Sequence, residues 1–236
     1  MVNIYLVRHG KTMFNTIGRA QGWSDSPLTE EGETGIIELG LGLKEKAVKF
    51  DRAYSSDSGR TIQTMGLILK YSENENIPYR FDKRIREWCF GSFDGGYDGE
   101  LFDGVLPRIF AEHENVKWEG TFPVDEEIAT AIYEVDTAGW AETWQDLRHR
   151  IMTGFHEIAE EAEKSGAKNI VIVSHGMTIG SFIKMIRPNE DRPHGLDNGS
   201  VSKLTYENGE FTVHETGDMS FRQIGQQMMN KNTYEN

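Results

Sequence analysis

The chain has 236 residues, of which 37% are hydrophobic and 27% charged, and its formal net charge is −13. These proportions are typical of a soluble globular protein and exclude a disordered chain. The length fits one α/β domain with an inserted segment, and no run of residues approaches the roughly 20 apolar residues that a membrane span requires. The negative charge disfavours nucleic acid and anionic membranes as partners, because both would repel it.

The sequence carries no pattern for export or for redox chemistry. Residues 1–7 are apolar but too few for the apolar region of a secretory signal, and Arg8 interrupts them. The single cysteine, Cys89, cannot form a disulfide within the chain. We therefore expect a cytoplasmic protein that functions as a monomer or a homodimer, with no nucleic-acid or membrane partner.

Three short apolar runs have the composition of strands that are buried on both faces of a parallel sheet. They cover residues 2–7, 51–55 and 170–173. A helical pattern follows the second run over residues 59–71 and the third over residues 179–186. Each run ends in a polar loop, and the first and third loops both contain a histidine followed by a glycine. The sequence therefore predicts an α/β fold in which one strand-to-loop arrangement occurs more than once.

The carboxyl ends of these strands are expected to meet in one crevice, where open parallel sheets bind their ligands. This would bring together four side chains, those of Arg8, His9, Arg60 and His175. Glycines at positions 10 and 176 leave no Cβ beside either histidine, so that the backbone can approach a ligand closely. The helix that begins near residue 59 directs free N–H groups toward an anion. We interpret this arrangement as a phosphate site and include Gly176 among the residues that bind the substrate.

The remaining elements complete a single domain over residues 1–225, predicted to be a three-layer α/β/α sandwich with a mainly parallel sheet. The Asn-Gly pair at 208–209 lies between two apolar runs and predicts a hairpin that adds an antiparallel edge strand. Between residues 97 and 144 aromatic and acidic residues accumulate without a period, which indicates a largely helical insertion that forms a lid over the active site. Further helices are predicted over residues 28–49 and 142–164, the first despite four glycines that each cost about 1 kcal/mol relative to alanine. Residues 226–236 are polar and aperiodic and are expected to be frayed.

Three other phosphate chemistries can be compared with the sequence directly. Gly-Lys-Thr at residues 10–12 is similar to the end of a P-loop, but Tyr5 stands where that motif requires glycine. A cysteine phosphatase needs an arginine in the loop after its nucleophile, and the six residues after the cysteine include none. His149 and His156 lie seven residues apart on a polar helix, which favours solvated surface residues over metal ligands. We therefore predict no metal site.

Several motifs, in this order along the chain, resemble those of the histidine phosphatase superfamily, which has the phosphoglycerate mutase-like fold. They are Arg-His-Gly at 8–10, Thr12 with Asn15, the segment 22–29, Ser-Ser-Asp at 55–57 with Arg60, Glu87 ahead of Phe90 and Gly91, and Ser-His-Gly at 174–176. The resemblance covers about residues 1–93 and 170–211. It implies a phosphohistidine intermediate on His9 and a proton donor at Glu87.

The resemblance also implies roles for the other residues of the site. Those that complete the phosphate pocket would be Arg8, Arg60 and His175. Those that contact the substrate phosphate or position the nucleophile would be Asn15, Gln21 and Gly22.

Each implied role has a physical reason. A neutral imidazole is a competent nucleophile, and transfer through phosphohistidine replaces one difficult step by two easier ones. Each guanidinium group, of Arg8 and of Arg60, can donate two parallel hydrogen bonds to two phosphate oxygens. The positive charge of both groups disfavours protonation of His9. Glu87 would protonate the leaving alkoxide. Without the family pattern, an ion pair with a neighbouring basic residue would be the favoured interpretation of Glu87.

Two departures from the family pattern bear on the reaction. Family mutases carry basic residues after the acidic one, whereas residues 94–100 are acidic and rich in glycine, which favours a phosphatase. Asp94 stands where the family more often has Glu, and Gln21 replaces a small hydroxyl residue. We therefore predict hydrolysis of a small phosphomonoester without metal or cofactor. The alternatives are a cofactor-dependent phosphoglycerate mutase or related phosphomutase and, from another class, a non-catalytic phosphate-binding module.

Overall fold

A six-stranded sheet organises the residues that the structure, a computed structural model, describes, which are 1–112, 124–193 and 195–234. The strands are β1 (Val2–Arg8), β2 (Arg52–Ser55), β3 (Tyr79–Phe81), β4 (Asn169–Ser174), β5 (Val201–Glu207) and β6 (Glu210–Asp218). Their order across the sheet is β3-β2-β4-β1-β5-β6. The pairs β1/β4, β2/β4 and β2/β3 are parallel, whereas β5 runs antiparallel to both of its neighbours.

The predicted α/β fold, with a mainly parallel sheet and an antiparallel hairpin at one edge, is confirmed. Asn208 and Gly209 join β5 to β6 with φ angles of 51° and 90°, the left-handed values that a tight hairpin turn requires. The strand at the opposite edge, β3, is missing from the sequence prediction because three residues are too few to show a period.

The register of the three central strands brings their carboxyl ends to the same level. Arg8 of β1 is paired with Ser174 of β4, and Ser55 of β2 is paired with Val173 of β4. The residues that follow, including both histidines of the predicted site, therefore begin neighbouring loops at one end of the sheet.

Eight α-helices connect and cover these strands in the described part of the chain. They are α1 (Met13–Ile17), α2 (Glu30–Glu45), α3 (Gly59–Tyr71), α4 (Leu106–Glu112), α5 (Asp125–Val135), α6 (Trp144–Lys164), α7 (Gly176–Ile186) and α8 (Ser220–Tyr234). Two 3-10 turns (Lys83–Ile85 and Gly91–Phe93) and a π-helix (Glu100–Val105) complete the secondary structure. Within the described residues no helix combines the length and hydropathy that a membrane span requires.

Alternate residues of the central strands enter two separate hydrophobic clusters, as expected for side chains on opposite faces of a sheet. In β4, Ile170 and Ile172 join one cluster, and Val171 and Val173 join the other. Side chains of α6 and α7 complete the first cluster, and those of α2, α3 and α8 complete the second. Helices therefore cover both faces of the sheet, which is typical of parallel strands.

The predicted insertion is largely helical in its described part, which contains the π-helix, α4 and α5. Residues 113–123 of the insertion lie outside the described residues. Buried side chains such as Leu106, Phe110 and Ile132 belong to the same hydrophobic cluster as α6 and α7. The insertion is thus anchored in the main core, and its action as a lid stays a prediction.

The structure differs from the prediction at the carboxyl end, where residues 226–234 are helical rather than frayed. Residues 235–236 lie outside the described part. The predicted tail begins in the middle of an amphipathic pattern, since Phe221, Ile224, Met228 and Met229 recur at helical spacing. Phe221 is buried against α2, so the interrupted pattern explains the wrong prediction.

Glycines allow α2 and α8 to approach each other closely. A Cβ at Gly42 would lie 1.8 Å from the Phe221 carbonyl oxygen, and one at Gly225 would lie 1.8 Å from the Glu38 carbonyl oxygen. Arg222 Nε also forms an ion pair with Glu38 Oε2 at 2.8 Å. Two of the glycines that lower the helix propensity of α2, Gly35 and Gly42, therefore serve the contact with α8.

We expect Gly42→Ala to destabilise the protein and Gly66→Ala, in α3, to stabilise it. The first change forces two backbones apart, whereas a Cβ at Gly66 would meet no atom within 4 Å. Unfolding in urea should show a loss of about 1–3 kcal/mol for the first variant and a gain of about 0.5–1 kcal/mol for the second. Equal effects of the two substitutions would contradict the close packing of α2 on α8.

Candidate active site

His9 is held in one tautomer directly after β1. Its Nδ1 lies 2.8 Å from the carbonyl oxygen of Gly10, and because a carbonyl oxygen only accepts, Nδ1 carries the proton. The lone pair of the neutral ring therefore resides on Nε2. The backbone of His9 is fixed on both sides, since its N–H donates to the Ser174 carbonyl at 3.0 Å and its carbonyl accepts from Asn198 Nδ2 at 2.9 Å.

Both histidines of the site are buried and uncharged at neutral pH. Burial is the largest cause of a His9 pKa well below the usual value, and the charges of Arg60 and Arg8 lower it further. Burial and Arg60 lower the pKa of His175 in the same way. The two ring centroids lie 5.3 Å apart in an edge-to-face arrangement. A neutral His9 has the lone pair that a nucleophile needs.

Arg60 fixes the orientation of His175. The Arg60 Nη2 group donates to His175 Nδ1 at 2.9 Å, so the proton of that ring resides on Nε2. This Nε2–H donates to Ser56 Oγ at 2.8 Å. Arg60 and His175 are both 0% exposed. They therefore form the closed, inner part of the site.

The Nη1 and Nη2 groups of Arg60 also donate to the loop that follows α1, whereas its buried Nε has no hydrogen-bond partner among the described residues. Nη1 donates to the carbonyl oxygen of Ser24 at 3.0 Å and to Asp25 Oδ1 at 2.8 Å. Nη2 also donates to the carbonyl oxygens of Gln21 at 3.2 Å and Gly22 at 2.9 Å. Burial lowers the pKa of the guanidinium, and the hydrogen bond to Asp25 opposes this shift. The loop thus supplies the polar surroundings that a buried cation requires.

Asp94 fixes the same loop from its other side. Its Oδ1 accepts from the backbone N–H groups of Gly22 at 2.9 Å and Ser24 at 3.0 Å. Its Oδ2 accepts from those of Trp23 at 3.3 Å and Phe90 at 3.0 Å. Two of the peptide groups that Asp94 orients, 21–22 and 22–23, have carbonyl oxygens that bind the guanidinium. Asp94 therefore positions the arginine without touching it.

Glu87 lies against the amino end of α7 and is 6% exposed. Its Oε2 accepts from the Met177 N–H at 3.0 Å, and its Oε1 accepts from the Thr178 N–H at 2.9 Å and hydroxyl at 3.0 Å. From α6, Arg150 Nη2 donates to the Glu87 carbonyl oxygen at 2.8 Å. The first turn of one helix and a side chain of another thus fix the position of this carboxyl group.

A cavity of about 230 Å³ opens beside His9 and Glu87. Six predicted site residues line it, namely Arg8, His9, Asn15, Gln21, Glu87 and Gly176. Two further predicted residues, Arg60 and His175, are fully buried. They contact each other and the loops that surround the cavity. Gly22 was predicted to bind substrate, but its carbonyl binds Arg60, and a Cβ there would lie 2.2 Å from the Trp88 carbonyl oxygen.

Two buried donors at this cavity have no hydrogen-bond partner among the described residues. They are Arg8 Nε and Gln21 Nε2. The Gln21 amide is oriented by Ser26 Oγ, which donates to its Oε1 at 2.6 Å. An unsatisfied buried N–H costs about 1–3 kcal/mol. An anion with several acceptor oxygens, such as a phosphate group, is the ligand that would satisfy both donors.

Several residues that shape the site were not identified from the sequence. They are Ser56, Asp25, Thr178, Asn198 and Arg150, together with Asp94, which was noted only as a departure from the family pattern. Ser56 and Asp25 lie inside the motifs at 55–57 and 22–29, and Thr178 lies two residues after the motif at 174–176, so these three carry a local signal although no role was predicted for them. Arg150 and Asn198 carry none, because each acts on a loop that is distant in the sequence.

We expect Asp94→Asn to weaken the binding of inorganic phosphate by about tenfold or more, since an amide can accept on one side only and the loop around Arg60 would loosen. Asp136→Asn is the matched control. Asp136 also accepts from backbone N–H groups, those of Ser92, Ala138, Trp140 and Ala141, at 2.6 to 2.8 Å, but no contact joins it to Arg60. Calorimetric titration with phosphate measures the affinities, and thermal unfolding shows the loss of stability. If both variants lost affinity equally, Asp94 would have no specific link to the site.

Comparison with known proteins shows the family to which the chain belongs. The sequence profile of the histidine phosphatase superfamily (branch 1) matches residues 4–219. A broad-specificity phosphatase of Saccharomyces cerevisiae is 26% identical over 222 residues, which cover 92% of this chain and 86% of that protein. A probable phosphoglycerate mutase of Shigella dysenteriae is 29% identical over 228 residues, which cover 93% and 94% of the two chains. The crystal structure of phosphoglycerate mutase from Bacillus anthracis is 39% identical, with a TM-score of 0.85 over 95% of this chain and 96% of that one. The chain therefore belongs to the histidine phosphatase superfamily.

Proposed function

We propose that the protein hydrolyses a small phosphomonoester through a phosphohistidine intermediate on His9, without a metal ion. The observation that carries this proposal is the state of the His9 ring. The Nδ1–H group donates to the Gly10 carbonyl, which leaves the Nε2 lone pair available, and burial with two arginines keeps the ring neutral. A nucleophile with these properties needs no further activation by a base.

In the first step His9 Nε2 attacks phosphorus and the bond from phosphorus to the ester oxygen breaks. The leaving alkoxide takes a proton from Glu87, which lines the same cavity as His9. Arg8 and Arg60 stabilise the charge that spreads over the phosphoryl oxygens, and His175 supports this in the transition state. Asn15, Gln21 and the backbone at Gly176 contact the bound phosphate.

In the second step water attacks the phosphohistidine and Glu87, now ionised, accepts a proton from it. The bond between phosphorus and Nε2 breaks, and inorganic phosphate leaves with the ring restored to its resting tautomer. No step requires a metal ion or a cofactor.

The charges at the rim of the cavity favour a phosphatase over a phosphoglycerate mutase. Arg192 forms an ion pair with Asp125 at 2.7 Å, and Arg19 stacks on the Tyr97 ring with its Cζ 4.5 Å from the centroid. Both rim arginines are thus engaged within the protein, and Asp98 adds a negative charge. A second acidic group on the substrate would be poorly compensated there.

The mutase is the second candidate because the 39% identical structure is that of a phosphoglycerate mutase. A mutase must retain the phosphoryl group and return it to a second hydroxyl, whereas a phosphatase gives it to water. Interconversion of phosphoglycerates that depends on a bisphosphorylated primer would identify a mutase.

We expect a radiolabelled phosphomonoester, quenched within milliseconds in the presence of excess EDTA, to leave an acid-labile and alkali-stable label on His9. His9→Ala should abolish both the adduct and turnover, and His175→Ala should slow formation of the adduct. His149→Ala, an exposed position on α6, is the control and should change neither. Label on a carboxylate or on His175, or activity that disappears with EDTA and returns with a divalent cation, would contradict the mechanism.

We expect Glu87→Gln to reduce kcat/KM by about 10² to 10⁴ for alkyl phosphates but much less for aryl phosphates, whose leaving groups need little protonation. Steady-state rates with one substrate of each kind measure the difference. Equal losses for both substrates would indicate that Glu87 acts on the structure of the site rather than as the acid.

A further inference from the structure

Asp98 places an unpaired carboxylate at the cavity that contains His9. The residue lines this cavity and is partly buried. Its backbone is fixed, since its N–H donates to the Gly18 carbonyl at 2.9 Å and the preceding Tyr97 forms a β-bridge with Arg19. Within the described residues its side chain makes neither a hydrogen bond nor an ion pair. A rigid backbone thus presents a carboxylate that has no partner in the protein.

The two arginines at the same rim do not compensate this carboxylate. Arg19 donates to the Gly95 carbonyl oxygen and lies over the Tyr97 ring. Arg192 is paired with Asp125 and also donates to the Met177 carbonyl oxygen at 3.2 Å. Each cation therefore has partners other than Asp98, although all three side chains line one cavity.

The surroundings of Asp98 disfavour the charged form of its carboxylate. Partial burial raises its pKa, and the nearby charge of Asp103 raises it further. A hydrogen-bond donor on a bound ligand would relieve this, whereas a second carboxylate would add repulsion. Apolar side chains, those of Phe90, Phe102 and Met177, line the same cavity, so the rest of the ligand can be a carbon chain.

We infer that Asp98 selects phosphomonoesters whose alcohol carries a hydrogen-bond donor, a hydroxyl or an ammonium group, and disfavours those that carry a carboxylate. The inference rests on the proposed function and specifies its substrate class. The phosphate would bind at Arg8 and His9, and the donor group at the other end of a short chain would bind Asp98.

Four substrates of similar length test this inference, namely n-propyl, 3-hydroxypropyl, 3-aminopropyl and 2-carboxyethyl phosphate. For the natural protein we expect kcat/KM for the hydroxy and amino compounds to exceed that of the propyl compound by about tenfold or more, as for a hydrogen bond to a charged group. The carboxyethyl compound should be the poorest substrate.

Two variants separate recognition of the donor from a role of Asp98 in folding. In Asp98→Ala, the ratio of kcat/KM for each donor substrate to kcat/KM for propyl phosphate should fall to about 1. Asp98→Asn should reduce the preference for the amino compound more than that for the hydroxy compound, because an amide oxygen still accepts but carries no charge. Asp103→Asn, which removes a nearby charge at an exposed position, is the control and should leave the ratios unchanged.

The possible results distinguish the inference from the function on which it rests. Ratios that stay unchanged in Asp98→Ala while the melting temperature falls would make Asp98 a residue that supports the start of its helix, and the inference would be wrong. If Asp98→Asn and Asp103→Asn changed these ratios equally, the preference would be a general effect of charge and not of Asp98, and the inference would be wrong. Hydrolysis of all four substrates at the same rate would overturn the inference alone, whereas hydrolysis of none, and of no aryl phosphate, would overturn the proposed function as well.

Discussion

The burial of the Arg60 guanidinium at the centre of the site determines how the surrounding loops are arranged. A buried cation needs acceptors in place of water, and here one carboxylate and several neutral acceptors bind its two Nη groups. The only direct ion pair of Arg60 within the described residues is with Asp25, which is itself 35% exposed. Most of the compensation therefore comes from carbonyl dipoles of one loop, and this loop must keep its shape for the charge to remain.

This arrangement gives Asp94 an importance that its distance from the cation would not suggest. In the peptide groups 21–22 and 22–23, Asp94 binds the N–H group while the carbonyl oxygen binds the guanidinium. The aligned peptide dipoles couple the Asp94 carboxylate to the Arg60 guanidinium, although the two groups are not in contact. The state of His9 depends on the same charge, because Arg60 is one of the causes of its lowered pKa.

The sequence predicts the parts of this site that lie next to strand ends, and it misses the parts that act across the chain. Val2–Arg8 and Asn169–Ser174 have a local apolar pattern that marks where each loop begins, so His9 and His175 could be placed together from the topology of parallel sheets. Asp94 acts on residues about 70 positions earlier, and no periodicity records such a contact. The helix at the carboxyl end was missed for another reason. The apolar spacing of this helix continues across residue 226, where the predicted tail begins. The glycines of α2 that contact α8 lower the helix propensity of α2, and the contact that requires them involves residues far away in the sequence.

The unsatisfied donors of Arg8 and Gln21 have a consequence for turnover as well as for binding. They are oriented before any ligand arrives, and the oxygens that would satisfy them are present in an ester and in free phosphate alike. Binding energy that is shared by substrate and product lowers KM without favouring release. For the hydrolase proposed above, free phosphate would compete with the ester for these donors, so the site is expected to be sensitive to product inhibition.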